Sequence, residues 1–564
     1  MTKPTRFVEV SEAALEAMRQ RVKAKSLDPE DYEMILAVVE SYAYLSQMVG
    51  DKKITIRRLQ QLLFGPRTEN TDKVLGKGGQ PPAAGSPVSP GGGIGGGGAA
   101  GGTGNSGGQE GAGGTAAGAP KPPGHGRNGA SEYTGAGKIL VPHETLKDGD
   151  ACPSCKEGIV YLQADAPAVI VRIRGQAPLA ATVYEKDRLR CHLCGEVFTA
   201  ASPAGVGEEK YDASARSMIA LLKYGSGMPF HRLAGLQESL GIPLPAATQW
   251  EVVAPLAAQL RPVYLEMVRQ AARGKVLHND DTNMRILALM GKEDGSRAAP
   301  APGEPDRKGV FTTGIVSLLE GRKIALFFTG HRHAGENLTE LLKQRPTGLD
   351  PPIQMCDALS RNAPKEFAVL LANCLAHARR QFVDVAEDFP AECRFVLETL
   401  RDVYYHDALA REQNLSPEER LKLHQEKSKP LMEKLHEWLK AQFPEKRVEP
   451  NSSLGKAISY LLNHWKALSL FLTVPGAPLD NNVVERSLKR AILHRKNSYF
   501  YKTRNGAAVG DLFMSLIHTC RLCDANPFDF LTELQNHSSD LEKNPAAWMP
   551  WNYRETISAD SDRR

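Results

Sequence analysis

Sixteen of the 28 residues from Gly91 to Gly118 are glycine. A stretch with so few side chains cannot offset the entropy of ordering itself. The chain therefore cannot fold as one body, and 76–130 reads as a flexible linker with folded parts on either side. Its glycine content alone would suit a phosphate-cradling loop, but no strand–helix frame surrounds it. The 564 residues leave room for several domains, and a 41% hydrophobic share supports ordinary cores. A net charge of +5 says little about partners, so local basic runs must carry any nucleic-acid argument. Met1-Thr-Lys-Pro-Thr-Arg-Phe7 lacks the apolar region of a signal peptide. No stretch approaches about 18 consecutive apolar residues. The expectation is a soluble, cytoplasmic protein with no membrane partner.

In that compartment the nine cysteines stay reduced, so paired Cys-x-x-Cys points to metal before disulfide. Within 139–200, Cys152-Pro-Ser-Cys155 and Cys191-His-Leu-Cys194 are separated by 35 residues. Two such pairs are the usual way to build a closed tetrahedral thiolate Zn²⁺ site, structural and not catalytic. The gap exceeds the common spacing of about 15–20, and strands at Ala168–Ile173 and Ala181–Tyr184 would fill it. Cys520 and Cys523 have no partner pair and read as buried helix cysteines in the apolar run Leu512–Leu522.

The remaining organisation follows periodicity and punctuation. Residues 1–75 read as helices, with Asp28 capping and Pro29 opening one of them. Segment 211–272 suggests helices at Tyr211–Tyr224, Pro229–Leu240 and Ala246–Ala258, compatible with a helix-turn-helix or with a plain scaffold. Residues 275–384 alternate strand-like runs and helices, 385–475 is long charged helix, 476–536 is helical, and 537–564 is a polar tail expected to fray past Trp551.

Three carboxylates carry the chemistry. Asp280 in Val276-Leu-His-Asn-Asp-Asp-Thr282 and Asp357 in Ile353-Gln-Met-Cys-Asp-Ala358 each end an apolar, strand-like run. Glu485 in Leu479-Asp-Asn-Asn-Val-Val-Glu-Arg-Ser487 lies on a helix starting near Asp480. Two divalent cations about 3.5–4 Å apart can activate an attacking oxygen and stabilise a leaving one at a phosphodiester. Hard oxygen ligands suit Mg²⁺ or Mn²⁺. Between the aspartates lie an expected second strand (Arg285–Met290), a charged loop (291–308), a hairpin (Val310–Leu319, Lys323–Phe328) and a helix (Ala334–Lys343). Ala368–His377 would supply a fifth strand. That order is the order of an RNase H-like core. Alternation along a strand lets only one of Asp280 and Asp281 face the site. On the helix, Val484, Leu488 and Ala491 form the core stripe, while Asn481, Asn482, Glu485 and Lys489 share a neighbouring face. From Arg486 through Gly510 there are seven Lys/Arg and no acid, a run that can neutralise DNA phosphates or simply be a solvated face.

Leu479–Ser487 followed by His494-Arg-Lys-Asn-Ser498 resembles the signature of the insertion-sequence-66 family of DDE transposases. Cys374-Leu-Ala-His-Ala-Arg-Arg-Gln-Phe382, Leu59-Gln-Gln-Leu-Leu-Phe-Gly65, the four-cysteine segment, and Gly510–Ile517 with Asn526-Pro-Phe528 are similar to other parts of that family. The resemblance covers nearly the whole chain outside the glycine tract. It implies a multidomain α+β protein: a helical N-terminal region, a zinc-ribbon-like segment, and an RNase H-like catalytic core with a helical insertion. It implies Asp280, Asp357 and Glu485 as the Mg²⁺-binding triad, and it favours Asp280 over Asp281. It implies metal-dependent DNA cleavage and strand transfer, double-stranded DNA as partner, an oligomer on DNA, bacterial nucleoid-associated localisation and small accessory proteins. Arg486, Lys489, Arg490, Arg495 and Lys496 are the DNA-binding candidates. His377, Arg379 and Arg380 either face DNA or brace the sheet. Two departures stand out: Asp280-Asp281-Thr282 replaces the family's Asp-Glu-Thr, and Asp357-Ala358-Leu359 replaces Asp-Gly and an aromatic. A zinc-containing DNA-binding protein that has lost catalysis and a nuclease without strand transfer are the alternatives.

Overall fold

The computed structural model describes residues 141–160, 175–190, 196–207, 209–290 and 307–561, with a few single positions besides. The helices expected in 1–75, the linker 76–130 and most of the expected strand at 168–173 lie outside the described residues. The chain divides into two units, residues 82–182 and the remainder.

In the smaller unit, Cys152–Cys155 forms a tight turn. Cys152 N–H donates to Gly158 O (2.7 Å), Lys156 N–H to Cys152 O (2.9 Å), and Lys156 takes φ 61°. In the larger unit, β1 (Arg188–Arg190) and β2 (Val197–Thr199) pair antiparallel on either side of the second cysteine pair. The strand expected at Ala181–Tyr184 does not form. Val183 and Tyr184 are exposed, so their alternation has no apolar face to bury.

The core of the larger unit is a five-stranded sheet: β3 (Val276–Met284), β4 (Val310–Leu319), β5 (Arg322–Gly330), β6 (Ile353–Cys356) and β7 (Leu370–Asn373), in the order β5-β4-β3-β6-β7. β4 runs antiparallel to both β3 and β5, whereas β6 runs parallel to β3 and β7 parallel to β6. Glu320 (φ 51°) and Gly321 (φ 77°) make the two-residue β4–β5 turn, whose positive φ values match the twist of the strands. The strand expected at Arg285–Met290 is absent. β4 is used up where Val310 pairs with Met284, so the chain turns away, and Ile286 bridges to Tyr501 instead. The expected fifth strand shortens to β7 because β6 offers only four residues, and its pairing ends at Cys356–Asn373.

Among the described residues, the helices of seven residues or more are α1 (Ala213–Ala220), α2 (Phe230–Ser239), α3 (Ala246–Gln259), α4 (Arg261–Ala271), α5 (Ala334–Leu342), α6 (Leu375–Val383) and α7 (Pro390–Glu412). They continue with α8 (Pro417–Leu423), α9 (Lys429–Ala441), α10 (Ser453–Asn463), α11 (Asn482–Ser498), α12 (Arg504–Leu522), α13 (Pro527–Asn536) and α14 (Tyr553–Ser561). α4 packs on β4, where Ser317 Oγ donates to Ala271 O (2.7 Å). α1 packs on α13 through Gln535, whose amide donates to Ser217 Oγ (2.8 Å). The tail past Trp551 is helical as α14, not frayed: Trp548, Met549 and Tyr553 are buried, and Tyr553 meets Phe530 edge to face.

The outer edge of β5 would otherwise expose a row of backbone donors. α12 covers it with one stripe. Ala325, Phe327 and Thr329 N–H groups donate to Thr519 Oγ1 (3.0 Å), Ser515 Oγ (2.9 Å) and Asp511 Oδ2 (2.6 Å). The period-2 outward amides of a strand meet the i, i+4, i+8 positions of a helix. Helices α7–α10 form the insertion, whose core joins Met355 and Ala372 of the sheet and Phe382 of α6 to Leu400, Leu435 and Leu461. Buried Asp407 on α7 holds it to α8 through Arg420 (2.7 Å), and Arg420 also donates to Ala477 O (2.8 Å), fastening the insertion to the returning chain.

Candidate active site

Asp280 sits inside β3, not at its end, opposite Gly314 of β4. It marks the point where β3 loses its other neighbour. β6 pairs with β3 only from Val276–Ile353 to His278–Met355 and stops at Cys356. The register offset is 77 residues (353 − 276), and the same offset carries Asp280 to Asp357, the first residue past β6. The sequence thus delivers both aspartates to the gap left where β6 ends.

α11 brings the third carboxylate. Val484, Leu488 and Ala491 are buried, as their helical spacing requires. A Cβ on Gly314 would lie 3.0 Å from Leu488 Cγ and 3.2 Å from Val484 Cγ2, so this glycine lets α11 settle directly on β4. Glu485, one residue from Val484, is thereby aimed at the gap. Asn481 locks the helix start to β3: its Nδ2 donates to Asn279 O (3.1 Å) and its Oδ1 lies 3.1 Å from His278 Nδ1. Burial lowers His278 to about 4, so the neutral ring acts as donor there. Asn481 was expected to share a helix face with Glu485; its side chain is instead buried and used as a brace.

The carboxylates feel one another. Burial first, then the charge of Asp357, with Asp281 and Glu485 adding to it, pushes Asp280 up to about 7 against the opposing Asp281 N–H. Burial also raises Asp357, against His377, the Asn362 amide, Leu359 N–H and Arg361. Asn362 donates to Asp357 Oδ1 and is itself fixed by buried amides, its carbonyl accepting from Asn279 Nδ2 (2.8 Å) and Gln354 Nε2 (2.6 Å). Glu485 Oε1 is buried with no hydrogen-bond partner and lies 3.7 Å from His377 Nε2. A buried carboxylate oxygen without a donor is costly, and an acid raised by its acidic neighbours is what a cation site looks like without its cation. The donor set fits Mg²⁺ or Mn²⁺. Cys374, His377 and Glu485 also lie within 4.8 Å of one another. Burial raises the Cys374 thiol to about 11, however, and a neutral thiol is a poor ligand for a hard cation.

Residues 209–509, which include all five strands, the insertion and α11, match the Transposase IS66 family. The chain belongs to that family. It is similar to three uncharacterized proteins of Sinorhizobium fredii (strain NBRC 101917 / NGR234). Identity is 27% to y4hP, over 60% of this chain and 61% of that protein, and 26% to y4jD, over 65% and 72%. The third, y4qI, is 23% identical over 60% of this chain and 61% of its own length. The chain thus spans about three fifths of the length of y4hP.

In this IS66-family chain Asp281 points away from Asp280. It pairs with His333 Nδ1 (2.8 Å) and Arg361 Nη2 (3.5 Å), with its side chain 3% exposed. The basic candidates separate. Arg380 lines a cavity of about 470 Å³ with Asp357 and His377. Arg379 lies toward Tyr404 of the insertion. Lys489 and Lys496 are exposed on α11. Arg486 turns toward Asp407 and Arg420, and Arg490 toward His518 and Arg521 of α12. Arg495 donates to Thr282 Oγ1 (3.1 Å) and Asn283 O, bracing α11 on the end of β3. Of the three residues that the sequence left undecided, His377 lies between Glu485 and Asp357. Its spacing after Cys374 was the available signal.

At the first cysteine pair, Gly158 N–H donates to Cys155 Sγ (3.4 Å), and with the Glu157 and Cys152 contacts this lowers the thiol's pKa. Cys194 is exposed, and Cys191 lies outside the described residues. Cys520 is fully buried in α12, whereas Cys523 at its end is half-buried with Sγ 3.6 Å from Lys323 O.

Proposed function

We propose that the protein is a DDE transposase that cuts DNA at element ends and joins the freed end to target DNA, with Asp280, Asp357 and Glu485 as its metal-binding triad. One observation carries this. Three carboxylates from a central strand, the end of its parallel neighbour and a helix far along the chain converge at one gap, where burial first and the neighbouring charges second hold Asp280 near 7. The strand order, with three antiparallel strands followed by two parallel ones, supports an RNase H-like core.

When bound, two Mg²⁺ or Mn²⁺ ions supply charge neutralisation at the attacking and leaving oxygens. Asp280, Asp357 and Glu485 would hold them. His377, next to both, orients Glu485, and Arg380 at the cavity mouth receives a phosphate. Water attacks the phosphorus at the element end, the bond to the 3′ oxygen breaks, and that oxygen takes up a proton. The freed 3′-hydroxyl then attacks a target phosphodiester, displacing its 3′ oxygen. Exposed Lys489 and Lys496 serve phosphate contact, which positions DNA without reading its sequence. The partner is double-stranded DNA, bound by an oligomer of this chain, with accessory proteins of the element as further partners and the bacterial nucleoid as the place of action. No helix among the described residues is long and apolar enough to cross a membrane. Cys152, Cys155, Cys191 and Cys194 are proposed as structural Zn²⁺ ligands on their spacing, and the lowered Cys155 pKa supports thiolate chemistry.

The test is a cleavage and joining assay on the element's own ends with Mg²⁺. Each of Asp280→Ala, Asp357→Ala and Glu485→Ala should abolish both steps while DNA binding survives. Cut but unjoined products point to a nuclease. Binding without cutting in the parent points to a derived DNA-binding protein. An active Glu485→Ala removes the mechanism.

A further inference from the structure

At the C-terminal end of α11 lies a cavity of about 680 Å³, within the size range of small-ligand sites. Its wall is mostly apolar and aromatic, with Trp250, Phe230, Tyr499 and Phe500, and it contains Lys223 and Lys502 but no acid. The cavities beside Asp357, Glu336 and Asp407 all have carboxylates in their walls. Three further observations mark it as a built site. Both ring nitrogens of His494 are buried without a hydrogen-bond partner, although the residue is only 2% exposed and its ring stacks on Tyr501 (4.5 Å). Tyr499, at φ 63°, is held in a conformation that non-glycine residues avoid, yet the residue is 68% exposed. Lys223 is buried over the Phe230 ring (4.9 Å), and among the described residues its ammonium donates to Ser498 Oγ (2.9 Å) and to no carboxylate. Strain, orphaned polar atoms and an unneutralised ammonium all ask for the same occupant. It must be flat, hydrogen-bonding at its edge, and attached to negative charge.

We propose that this cavity receives a DNA base turned out of its stack, held between aromatic rings, with the His494 nitrogens on its edge and Lys223 and Lys502 on the adjoining phosphates. The proposal rests on the DNA reading above. Aromatic faces accept any base, and lysines track the backbone. Base and cut site would be mechanically joined. Tyr501 N–H donates to Arg285 O (2.9 Å) and Leu287 N–H to Tyr501 O (2.9 Å), so the cavity wall is stitched to the continuation of the strand carrying Asp280. Along α11, Ser498 lies 13 residues from Glu485, roughly 20 Å at 1.5 Å per residue. That separation spans only a few nucleotides of an extended strand.

The experiment uses the full chain in buffer without Mg²⁺ or Mn²⁺, so that no cutting occurs, and a short single-stranded oligodeoxynucleotide carrying 2-aminopurine. The parent should quench the probe and prefer it to the same probe in a fully paired duplex. Tyr499→Gly, which suits the positive φ and therefore folds, should weaken single-strand binding about 5- to 150-fold, the range for removing one stacking partner. His494→Phe keeps the stack on Tyr501 and removes only the ring nitrogens; it should raise thermal stability and still lose affinity. If both variants bind the probe like the parent, the cavity is not a base site. If they instead dissociate a dimer in sedimentation while binding is unchanged, its occupant is protein and the proposal is overturned. Quenching in a protein that never cuts element ends would remove the catalytic reading alone. Cutting by a protein whose variants bind normally would remove this one alone.

Discussion

Replacing Asp280 by Asn should make the metal-free protein more stable, although it removes a residue central to the proposed activity. Asp280 stands at about 7 in the folded chain against an ordinary 3.8. About three pKa units correspond to roughly 4 kcal/mol. A carboxyl raised on folding binds its proton more tightly in the folded state. Stability therefore falls as pH rises from about 4 to about 7 and is flat above, where the full cost of the buried charge is felt. Asn has no proton to lose, and its amide oxygen can still accept the Asp281 N–H (2.8 Å) that Asp280 now accepts. Without divalent cation at about pH 8 the variant should therefore gain about 2–4 kcal/mol, with the gain fading as pH falls from about 7 and gone by about pH 4. Millimolar Mg²⁺ or Mn²⁺ should reverse the order. The parent gains stability by cation binding to its folded state alone, while Asp280→Asn, missing a ligand, gains little. Denaturant midpoints followed by tryptophan fluorescence, with and without cation, measure both effects and require no DNA. An Asp280→Asn protein less stable than the parent at about pH 8 without divalent cation would refute a buried charge at this position. Equal stabilisation of parent and variant by cations would refute its place as a ligand.

Three further outcomes follow from the same geometry. Gly314→Val places a branched side chain against Leu488 and Val484, where even a single Cβ is already at 3.0–3.2 Å. It should cost about 1–3 kcal/mol and abolish cleavage by lifting Glu485, with partial recovery when Leu488→Ala makes room, as a double-mutant cycle would report. Asp281→Asn breaks the contacts to His333 and Arg361. It should lower stability by about 1–3 kcal/mol yet leave Mn²⁺ affinity near that of the parent, which isothermal titration can check. Asp407 sits near 2: burial raises it, but His424, Arg420 and Arg411 outweigh burial. Its contribution, about 2 kcal/mol, is complete above about pH 4 and disappears as pH falls through about 2. Acid unfolding of Asp407→Asn should therefore be flatter across that window than that of the parent.

The parts of this site that a reader of the sequence could find are those governed by local periodicity. Alternation separates Asp280 from Asp281, and the Val484–Leu488–Ala491 stripe turns Glu485 toward the sheet, because period 2 and period 3.6 are properties of the chain alone. The errors fall where the outcome depends on a partner distant in sequence. Arg285–Met290 is apolar enough for a strand, but β4 ends opposite Met284, and the free backbone goes to Tyr501, more than two hundred positions away. Asn481 looks like a site residue because it shares a face with Glu485. The buried pair it makes with His278 and Asn279 depends on where β3 lies beneath the helix start. His377 is hidden for the same reason: its position between two carboxylates depends on β7 ending at Asn373 and on α6 beginning immediately afterwards. One long-range feature was nevertheless readable. Asp511, Ser515 and Thr519 form a polar stripe at spacing four inside an otherwise apolar, almost wholly buried helix. Buried side-chain oxygens at that spacing need donors at a regular interval. A strand edge, presenting an outward N–H at every second residue, supplies them, so the stripe identifies α12 as the cover of an edge strand.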